Sequence, residues 1–243
     1  MRNIKLTYRY DGSLFYGFQR QPEKRTVQGE IEKLLNVVFK KEIDMISSGR
    51  TDRGVHALIQ VSNFYVDSTI PIERLKYILN RGLPLDIELL DVEEVEEKFN
   101  SRFDAKNRGY RYIISWERNP FRSRYETFIN REIDIKGFYE ILKPLIGIHD
   151  FNNFRLSDCG SKTSVREIYD IKIEKLEEKR IAIDLLGSSF LKSQIRIIIG
   201  TALNIYFKEL PENYIEEMLK NPNKKYLKKV APPYGLYLSQ VNY

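Results

Sequence analysis

Residues 48–57, with the sequence SGRTDRGVHA, concentrate side chains that can do chemistry. The segment places a carboxylate, Asp52, two residues after the cation Arg50, and Gly49 and Gly54 bracket the pair. Glycine permits positive φ and close approach of other atoms to the backbone. We therefore predict a rigid loop from which Arg50 and Asp52 point into one space. The alternative is a hairpin turn whose charges are only solvated.

A single arginine, Arg196, interrupts the apolar stripe of a helix that the sequence predicts over residues 190–207. Most of its neighbours are isoleucine, and a buried guanidinium is costly unless it meets an anion. Asp52 is a candidate for that anion. The alternative is an arginine that extends along the surface to reach solvent.

Residues 14–25 combine aromatic rings with cationic and amide side chains, among them Arg20. Rings beside groups that pair with phosphate suit unpaired or flipped nucleotides. The alternative is that Phe15 and Phe18 anchor a long loop on the core.

Positive charge and aromatic rings alternate again over residues 99–114, which lead into a predicted strand. Side chains alternate between the two faces of a strand, so Tyr110 and Tyr112 share one face and Arg111 and Ile113 the other. Tyr110 is either a ring that stacks on a base or a core residue with a satisfied hydroxyl.

The composition is that of a soluble globular protein, because 42% of the 243 residues are hydrophobic and 30% are charged. A net charge of +6 favours a polyanionic partner, either nucleic acid or an anionic membrane surface. No apolar run is long enough to span a bilayer and no signal-peptide core opens the sequence, so we expect a cytoplasmic protein. One cysteine and two histidines argue against a disulfide and against a metal site.

Apolar periodicity and capping residues predict a chain in which strands and helices are mixed. Strands are expected at residues 4–10, 43–46, 58–66, 87–92, 110–114, 169–173 and 181–185, with a final strand near 236–238. Helices are expected after Thr26, after Pro71, after Asp134, over 190–207 and in the tail, and residues 149–166 are expected to be irregular. Several apparent hairpins make the class α+β with a largely antiparallel sheet.

Eight short segments, in this order, resemble the tRNA pseudouridine synthases of the TruA family. They are YDGS at 10–13, GFQRQ at 17–21, TVQG at 26–29, the 48–57 loop, LPLDI at 83–87, RFDA at 102–105, RGYRY at 108–112 and GLYL at 235–238. The likeness runs from Tyr10 nearly to the C-terminus. It favours the functional interpretation of the loop over the hairpin turn.

The resemblance implies an isomerase that converts uridine to pseudouridine in the anticodon stem-loop of tRNA, at positions 38, 39 and 40. It implies the pseudouridine synthase fold, with two ferredoxin-like (RRM-like) subdomains that share a largely antiparallel sheet around a central basic cleft. We expect the first subdomain, 1–105, to carry the catalytic loop. We expect the second, 106–243, to complete the cleft and the interface of a homodimer. The resemblance also implies no cofactor and no metal.

Carried over by position, Asp52 is the catalytic aspartate, Arg50 its neighbour, Tyr110 the ring in the uridine pocket and Arg196 the cation that pairs with Asp52. We also expect Arg20, Arg53 and His56 to bind the substrate. An aspartate is ionised at neutral pH, and a paired arginine keeps it so after burial. Asp52 either attacks C1′ of the ribose or removes the C2′ proton, and the sequence leaves both routes open.

Two departures from the family pattern bear on the choice of RNA. Arg53 stands where the family usually has a small residue, and Ser193-Gln194 stands where the family often has His-Met. The alternatives are therefore a paralogue that modifies another RNA, such as ribosomal RNA, and an RNA-binding protein without catalysis. A cysteine hydrolase that uses Cys159 and His149 is a further hypothesis from a different class.

Overall fold

The computed structural model describes all 243 residues, which form two compact units. The first unit comprises Met1–Lys106 together with Tyr237–Tyr243, and the second comprises Asn107–Leu236. The last strand of the chain thus joins the unit that holds the 48–57 loop. None of the helices combines the length and the apolar character that crossing a membrane requires.

The sheet of the first unit has the strand order β4-β1-β3-β10, and β2 pairs with β3. Its strands are β1 (Arg2–Tyr10), β2 (Ile46–Ser47), β3 (His56–Val66), β4 (Ile87–Val95) and β10 (Leu236–Asn242). The pairings are antiparallel, except that β10 runs parallel to β3, with Tyr237 opposite His56 and Leu238 opposite Ala57.

Two helices belong to this unit, α1 (Val27–Phe39) and α2 (Ile72–Gly82). The Thr26 side chain accepts a hydrogen bond from the Gly29 amide, which confirms the predicted N-cap of α1. Pro71 precedes the first turn of α2, as predicted, where a missing amide proton costs nothing.

The second unit has the strand order β5-β9-β8-β7. Each of the three neighbouring pairs in this order is antiparallel. Its strands are β5 (Asn107–Ser115), β6 (Thr127–Phe128), β7 (Gly147–Asp150), β8 (Val165–Glu177) and β9 (Arg180–Gly187). Its helices are α3 (Ile135–Leu142), α4 (Gln194–Tyr206) and α5 (Tyr214–Lys220). Asp134 caps α3 through the Gly137 amide, as predicted. The α+β class with mostly antiparallel pairing is confirmed.

Three local predictions were wrong. The helix predicted over 190–207 begins only at Gln194. Before it the chain makes a turn, because Ser193 has a φ of 59° and the Gln194 side chain accepts a hydrogen bond from the Leu191 amide. Residues 149–166 are not irregular throughout: they include the end of β7, a 3-10 turn at Asn152–Phe154 and the start of β8. The strand before the loop is only Ile46–Ser47.

Candidate active site

The 48–57 loop leaves β2 and enters β3, and its first residues are tied to that strand. The Ser48 amide donates to the Val61 carbonyl (2.9 Å) and the Ser48 hydroxyl donates to Gln60 Oε1 (2.6 Å). Gln60 Nε2 in turn donates to the Gly49 carbonyl (3.0 Å). Because Ser48 and Gln60 are both buried, these bonds are strong constraints on the direction in which the loop departs.

Thr51 fixes the middle of the loop, one residue before Asp52. Its hydroxyl shares a hydrogen bond with the Tyr10 hydroxyl (2.8 Å), and its carbonyl accepts from the Phe18 amide (3.1 Å). Gly17 lies against the same carbonyl with a φ of +93°, where a Cβ would come within 3.2 Å. The backbone at Asp52 is therefore held from two directions.

A tight turn follows, in which the Val55 amide donates to the Asp52 carbonyl (3.1 Å). Gly54 has a φ of 78°, whereas Gly49 is not among the residues with positive φ. Only one of the two bracketing glycines therefore supplies the left-handed geometry expected of them. Gly49 contributes its carbonyl to the hydrogen bond with Gln60 described above.

His56 closes the loop from beneath. Its Nδ1 accepts from the Gly12 amide (3.1 Å), and its ring stacks on Tyr237 with centroids 4.7 Å apart. Asp11 Oδ1 lies 3.2 Å from the same nitrogen, but a nitrogen that accepts the Gly12 proton has none to donate, so we assign the ring proton to Nε2. With 1% of its surface exposed, His56 supports the loop from within the core, and the expectation that it binds the substrate remains a prediction from the sequence.

The side chains that remain accessible on this framework are charged. Asp52 is half-buried, whereas Arg50 and Arg53 are exposed. The Arg53 guanidinium lies 4.3 Å from the centre of the Tyr16 ring, which is 40% exposed. The loop thus presents one carboxylate between two cations in the sequence, and one of these cations lies over an aromatic ring, an arrangement that suits a phosphate-bearing substrate.

Arg20 is engaged within the first unit. Its guanidinium lies 3.2 Å from Glu32, 3.7 Å from Glu42 and 3.2 Å from Asp44. Glu32 is almost completely buried, so Arg20 supplies charge that this carboxylate needs. The expectation that Arg20 binds substrate remains a prediction from the sequence.

The aromatic rings of the 14–25 segment are of two kinds: Phe15 and Phe18 are buried, and Tyr16 is partly exposed. Phe15 and Phe18 are each 1% exposed, so the alternative interpretation, in which they anchor the loop on the core, is correct. Arg25 lies over Phe15 and forms two hydrogen bonds to Asp86 (2.6 and 2.8 Å), which raise the pKa of Arg25.

Tyr110 and Arg196 belong to the second unit. Tyr110 lies on β5, is 9% exposed and meets the edge of Phe190 at a centroid distance of 5.3 Å. Arg196 lies on α4, where its Nε donates to the Ala231 carbonyl (2.8 Å) and its own carbonyl accepts from the Ala231 amide (2.9 Å). The chain passes so close to α4 here that a Cβ on Gly200 would lie 2.4 Å from the Lys229 carbonyl. These contacts give the Arg196 guanidinium a fixed direction.

The hypothetical cysteine dyad is not assembled. Cys159 Sγ lies 3.6 Å from the Ser161 hydroxyl, while His149 Nε2 lies 3.1 Å from the Ile146 carbonyl. Nucleophile and base in such a dyad must lie within hydrogen-bond reach of one another. The structure also contains no group of three or more His, Cys, Asp or Glu side chains placed to hold a metal ion.

Sequence reasoning missed the residues that hold the loop, namely Gly12, Tyr10 and Thr51. The available signal was the break that Asp11-Gly12-Ser13 makes after the first strand, because a glycine at such a break marks close backbone approach. A Cβ on Gly12 would lie 1.9 Å from the Val55 carbonyl oxygen.

Comparison with known proteins identifies the family. The family model described as tRNA pseudouridine synthase matches residues 6–104 and 141–243. The chain is 38% identical over 245 residues to tRNA pseudouridine synthase A of Borrelia turicatae and 37% identical to that of Acetivibrio thermocellus, and both alignments cover 100% of each chain. It is 36% identical to that of Exiguobacterium sp., over 100% of this chain and 98% of the relative.

The chain therefore belongs to the tRNA pseudouridine synthase family. Enzymes of this class are isomerases, and the expected pseudouridine synthase fold is confirmed with the family. A solved structure, that of the archaeal box H/ACA sRNP Nop10–Cbf5 complex, covers 80% of this chain and 44% of its own at 10% identity, with a TM-score of 0.38.

Proposed function

We propose that this protein isomerises uridine to pseudouridine in the anticodon stem-loop of tRNA, at positions 38, 39 and 40, with Asp52 as the reacting carboxylate. The observation that carries the proposal is the support around Asp52. The preceding residue, Thr51, is bonded to Tyr10 and Phe18, and the Asp52 carbonyl accepts from Val55. A carboxylate held at fixed geometry is what a reaction on one ribose carbon needs.

The reaction requires no cofactor because it rearranges bonds within one nucleotide. The glycosidic bond between C1′ and N1 breaks, the base turns, and a bond forms between C1′ and C5. N1 gains a proton once it is free of the sugar, and C5 loses its hydrogen to solvent, so there is no net oxidation and no hydrolysis. Asp52 acts either as a nucleophile at C1′ or as a base toward the C2′ proton.

The other site residues serve to bring the uridine to Asp52. The target base must leave its stack, at a cost of a few kcal/mol. We propose that Arg50 fills the gap or holds a flanking phosphate, that Arg53 contacts another phosphate, and that Tyr110 stacks on the extruded uracil. We further propose, from the family motifs, that Arg196 is the cation that pairs with Asp52. His56 positions the loop through the Gly12 amide.

Tritium release from tRNA that carries [5-³H]uridine tests the proposal. We expect the wild-type protein to release tritium from the anticodon stem-loop and Asp52→Asn to release none while still binding the tRNA. Asp67→Asn is the matched control, because Asp67 is exposed and is not part of the loop, and it should retain full activity. Equal loss in both variants would contradict a specific role for Asp52.

Substrate choice is tested with the same assay on ribosomal RNA transcripts. Release from ribosomal RNA alone would keep the chemistry and overturn the anticodon assignment, and binding without release from either RNA would indicate a non-catalytic protein.

We also propose, from the family resemblance, a cytoplasmic homodimer. Sedimentation equilibrium of the purified chain should give twice the mass of one chain.

A further inference from the structure

Three cations of the second unit, Arg155, Arg166 and Lys228, are half-buried and form no ion pair with a carboxylate. Eight arginines of the chain do pair with carboxylates within 4 Å: Arg2, Arg9, Arg20, Arg25, Arg111, Arg122, Arg131 and Arg180. No carboxylate therefore neutralises the positive charge of the three cations.

The oxygens that accept hydrogen bonds from these cations are neutral. Arg155 Nε donates to Asn152 Oδ1 (2.9 Å), and Lys228 Nζ donates to the Arg155 carbonyl (2.6 Å). Arg166 donates from one terminal nitrogen to the Val165 carbonyl (2.6 Å). Amide and carbonyl oxygens orient a cation without cancelling its charge. The side chains are thus ordered and remain available to an anion.

The segment that carries Arg155 is itself anchored. Asn152 Nδ2 donates to the Pro222 carbonyl (2.9 Å), and Asn153 Nδ2 donates to the Met218 and Asn221 carbonyls (2.9 Å each). These bonds fasten the 3-10 turn Asn152–Phe154 to the end of α5. The cluster is accordingly built before any ligand arrives, which lowers the entropy cost of binding.

The electrostatics favour an anion at this place. Burial and the charge of Arg155 lower the pKa of Arg166 and the pKa of Lys228. Arg166 Nε is buried and has no hydrogen-bond partner. Burial opposes ionisation of the neighbouring Cys159, yet hydrogen bonds from the Lys192 and Ser161 amides and from the Ser161 and Arg155 side chains lower the pKa of its thiol. A multivalent oxygen anion beside these cations would relieve the repulsion between them.

We propose that Arg155, Arg166 and Lys228 form a phosphate-binding site for the backbone of the RNA substrate, carried entirely by the second unit. The inference rests on the proposed function, since it takes the anion to be a phosphate of the RNA that the enzyme modifies. Guanidinium groups bind phosphate through two parallel hydrogen bonds, and the lysine adds a point charge. Phosphate contacts position a nucleic acid without reading its sequence.

The test measures the dissociation constant of full-length tRNA transcript for the complete chain across a series of salt concentrations. Arg166→Gln and Lys228→Gln should each weaken binding about tenfold, as the loss of a charged hydrogen bond does. Each should also reduce the slope of log K against log salt by about 0.9, the value for one neutralised phosphate. Arg131→Gln, which removes an exposed arginine paired with Glu209 in the same unit, is the matched control and should change neither quantity.

A second readout separates binding from structure. If the cations only stabilised the fold, Arg166→Gln would lower the melting temperature. A phosphate site instead predicts that the melting temperature stays the same or rises, because removal of one cation relieves repulsion. A lower melting temperature with unchanged tRNA affinity and salt slope would overturn the proposal. A second result would also overturn it: inorganic sulfate raises the melting temperature of the wild-type protein but not of either variant, while both variants bind tRNA as the wild type does.

Failure of this proposal and failure of the proposed function give different results. If wild-type protein releases no tritium from tRNA, the catalytic proposal fails, whatever the salt slopes are. If wild-type protein releases tritium and the variants bind tRNA like wild type, the phosphate site alone fails. When the site is correct, the variants keep their turnover rate at saturating tRNA and show a higher KM.

Discussion

The hydroxyls of Tyr10 and Thr51 share a hydrogen bond of 2.8 Å between residues 41 positions apart in the chain. The bond joins the end of β1 to the residue that precedes Asp52. Both residues are buried, so water cannot readily take the place of either hydroxyl as a hydrogen-bond partner. The first strand of the sheet thereby helps to fix the position of Asp52.

We expect Tyr10→Phe to lower the free energy of unfolding by about 1 to 2 kcal/mol, since it leaves the Thr51 hydroxyl buried without this partner. We also expect tritium release to slow by about tenfold, because a small displacement of Asp52 has a large effect on a reaction that depends on orientation. Urea denaturation and single-turnover tritium release are the measurements.

Tyr8→Phe is the matched control on the same strand. Tyr8 also bonds to a hydroxyl, that of Ser62 (2.7 Å), but Ser62 keeps a second partner in Ser47 (2.8 Å). Removal of the Tyr8 hydroxyl should lower the free energy of unfolding by about 1 kcal/mol and leave turnover unchanged. Equal activity of the two variants would show that Tyr10 acts on stability alone.

Gly12→Ala should disrupt the loop more severely than any hydroxyl deletion. The added Cβ would lie 1.9 Å from the Val55 carbonyl oxygen, so β1 and the loop cannot both keep their positions. We expect a loss of about 3 kcal/mol or more in unfolding free energy, as for other overpacked sites, together with loss of activity. Gly160→Ala is the control, because nothing lies within 4 Å of its Cβ, and it should behave as wild type.

Stability should fall steeply in alkali because two tyrosines are buried. Burial raises the pKa of Tyr8 and the pKa of Tyr112 well above the usual value of 10. In the unfolded chain both ionise near pH 10, whereas in the folded chain both stay neutral. Their contribution is therefore intact below pH 10 and is lost as pH rises toward their folded pKa values. Each tyrosine should remove about 1.4 kcal/mol per pH unit above pH 10.

Chemical denaturation between pH 9 and 11.5 measures this slope. When each protein's free energy of unfolding is referred to its value at pH 9, Tyr112→Phe should lose stability with pH about half as steeply as the wild type. Tyr77→Phe should leave it unchanged, because Tyr77 is 51% exposed. An identical slope in wild type and Tyr112→Phe would exclude Tyr112 as the source.

Cys159→Ser should retain tritium release within about twofold of wild type. The thiol contacts Ser161, and His149 contacts a backbone carbonyl, so no nucleophile and base are paired there. Treatment of the wild-type protein with iodoacetamide gives the complementary measurement. Abolished activity in the serine variant would revive the cysteine hypothesis.

The parts of the fold that the sequence predicts are those with local causes. The caps at Thr26 and Asp134 need only a side chain and an amide three residues later, and both form as predicted. The start of α4 was placed too early because apolar periodicity does not report the positive φ of Ser193. Local patterns also do not state which sheet a strand joins, and β10 lies beside β3.

The candidate site shows the same division. The charged loop could be found from residue types, since Asp52, Arg50 and the glycines are contiguous. The supports could not, because the Gly12 amide meets His56 44 residues later and Tyr10 meets Thr51 41 residues later. Nothing in the local sequence indicates that His56 supports the loop. Only the fold shows its ring between the backbone of Gly12 and Tyr237.

The pairing of β10 with β3 has a consequence for synthesis of the protein. A ribosome makes Asp52 long before it makes Tyr237, the ring that stacks on His56 under the loop. Tyr243 also reaches back, donating to the Ser101 carbonyl (2.7 Å). A nascent chain thus carries Asp52 before it has the strand that borders the loop. The support beneath His56 is complete only once β10 has been made and has paired with β3.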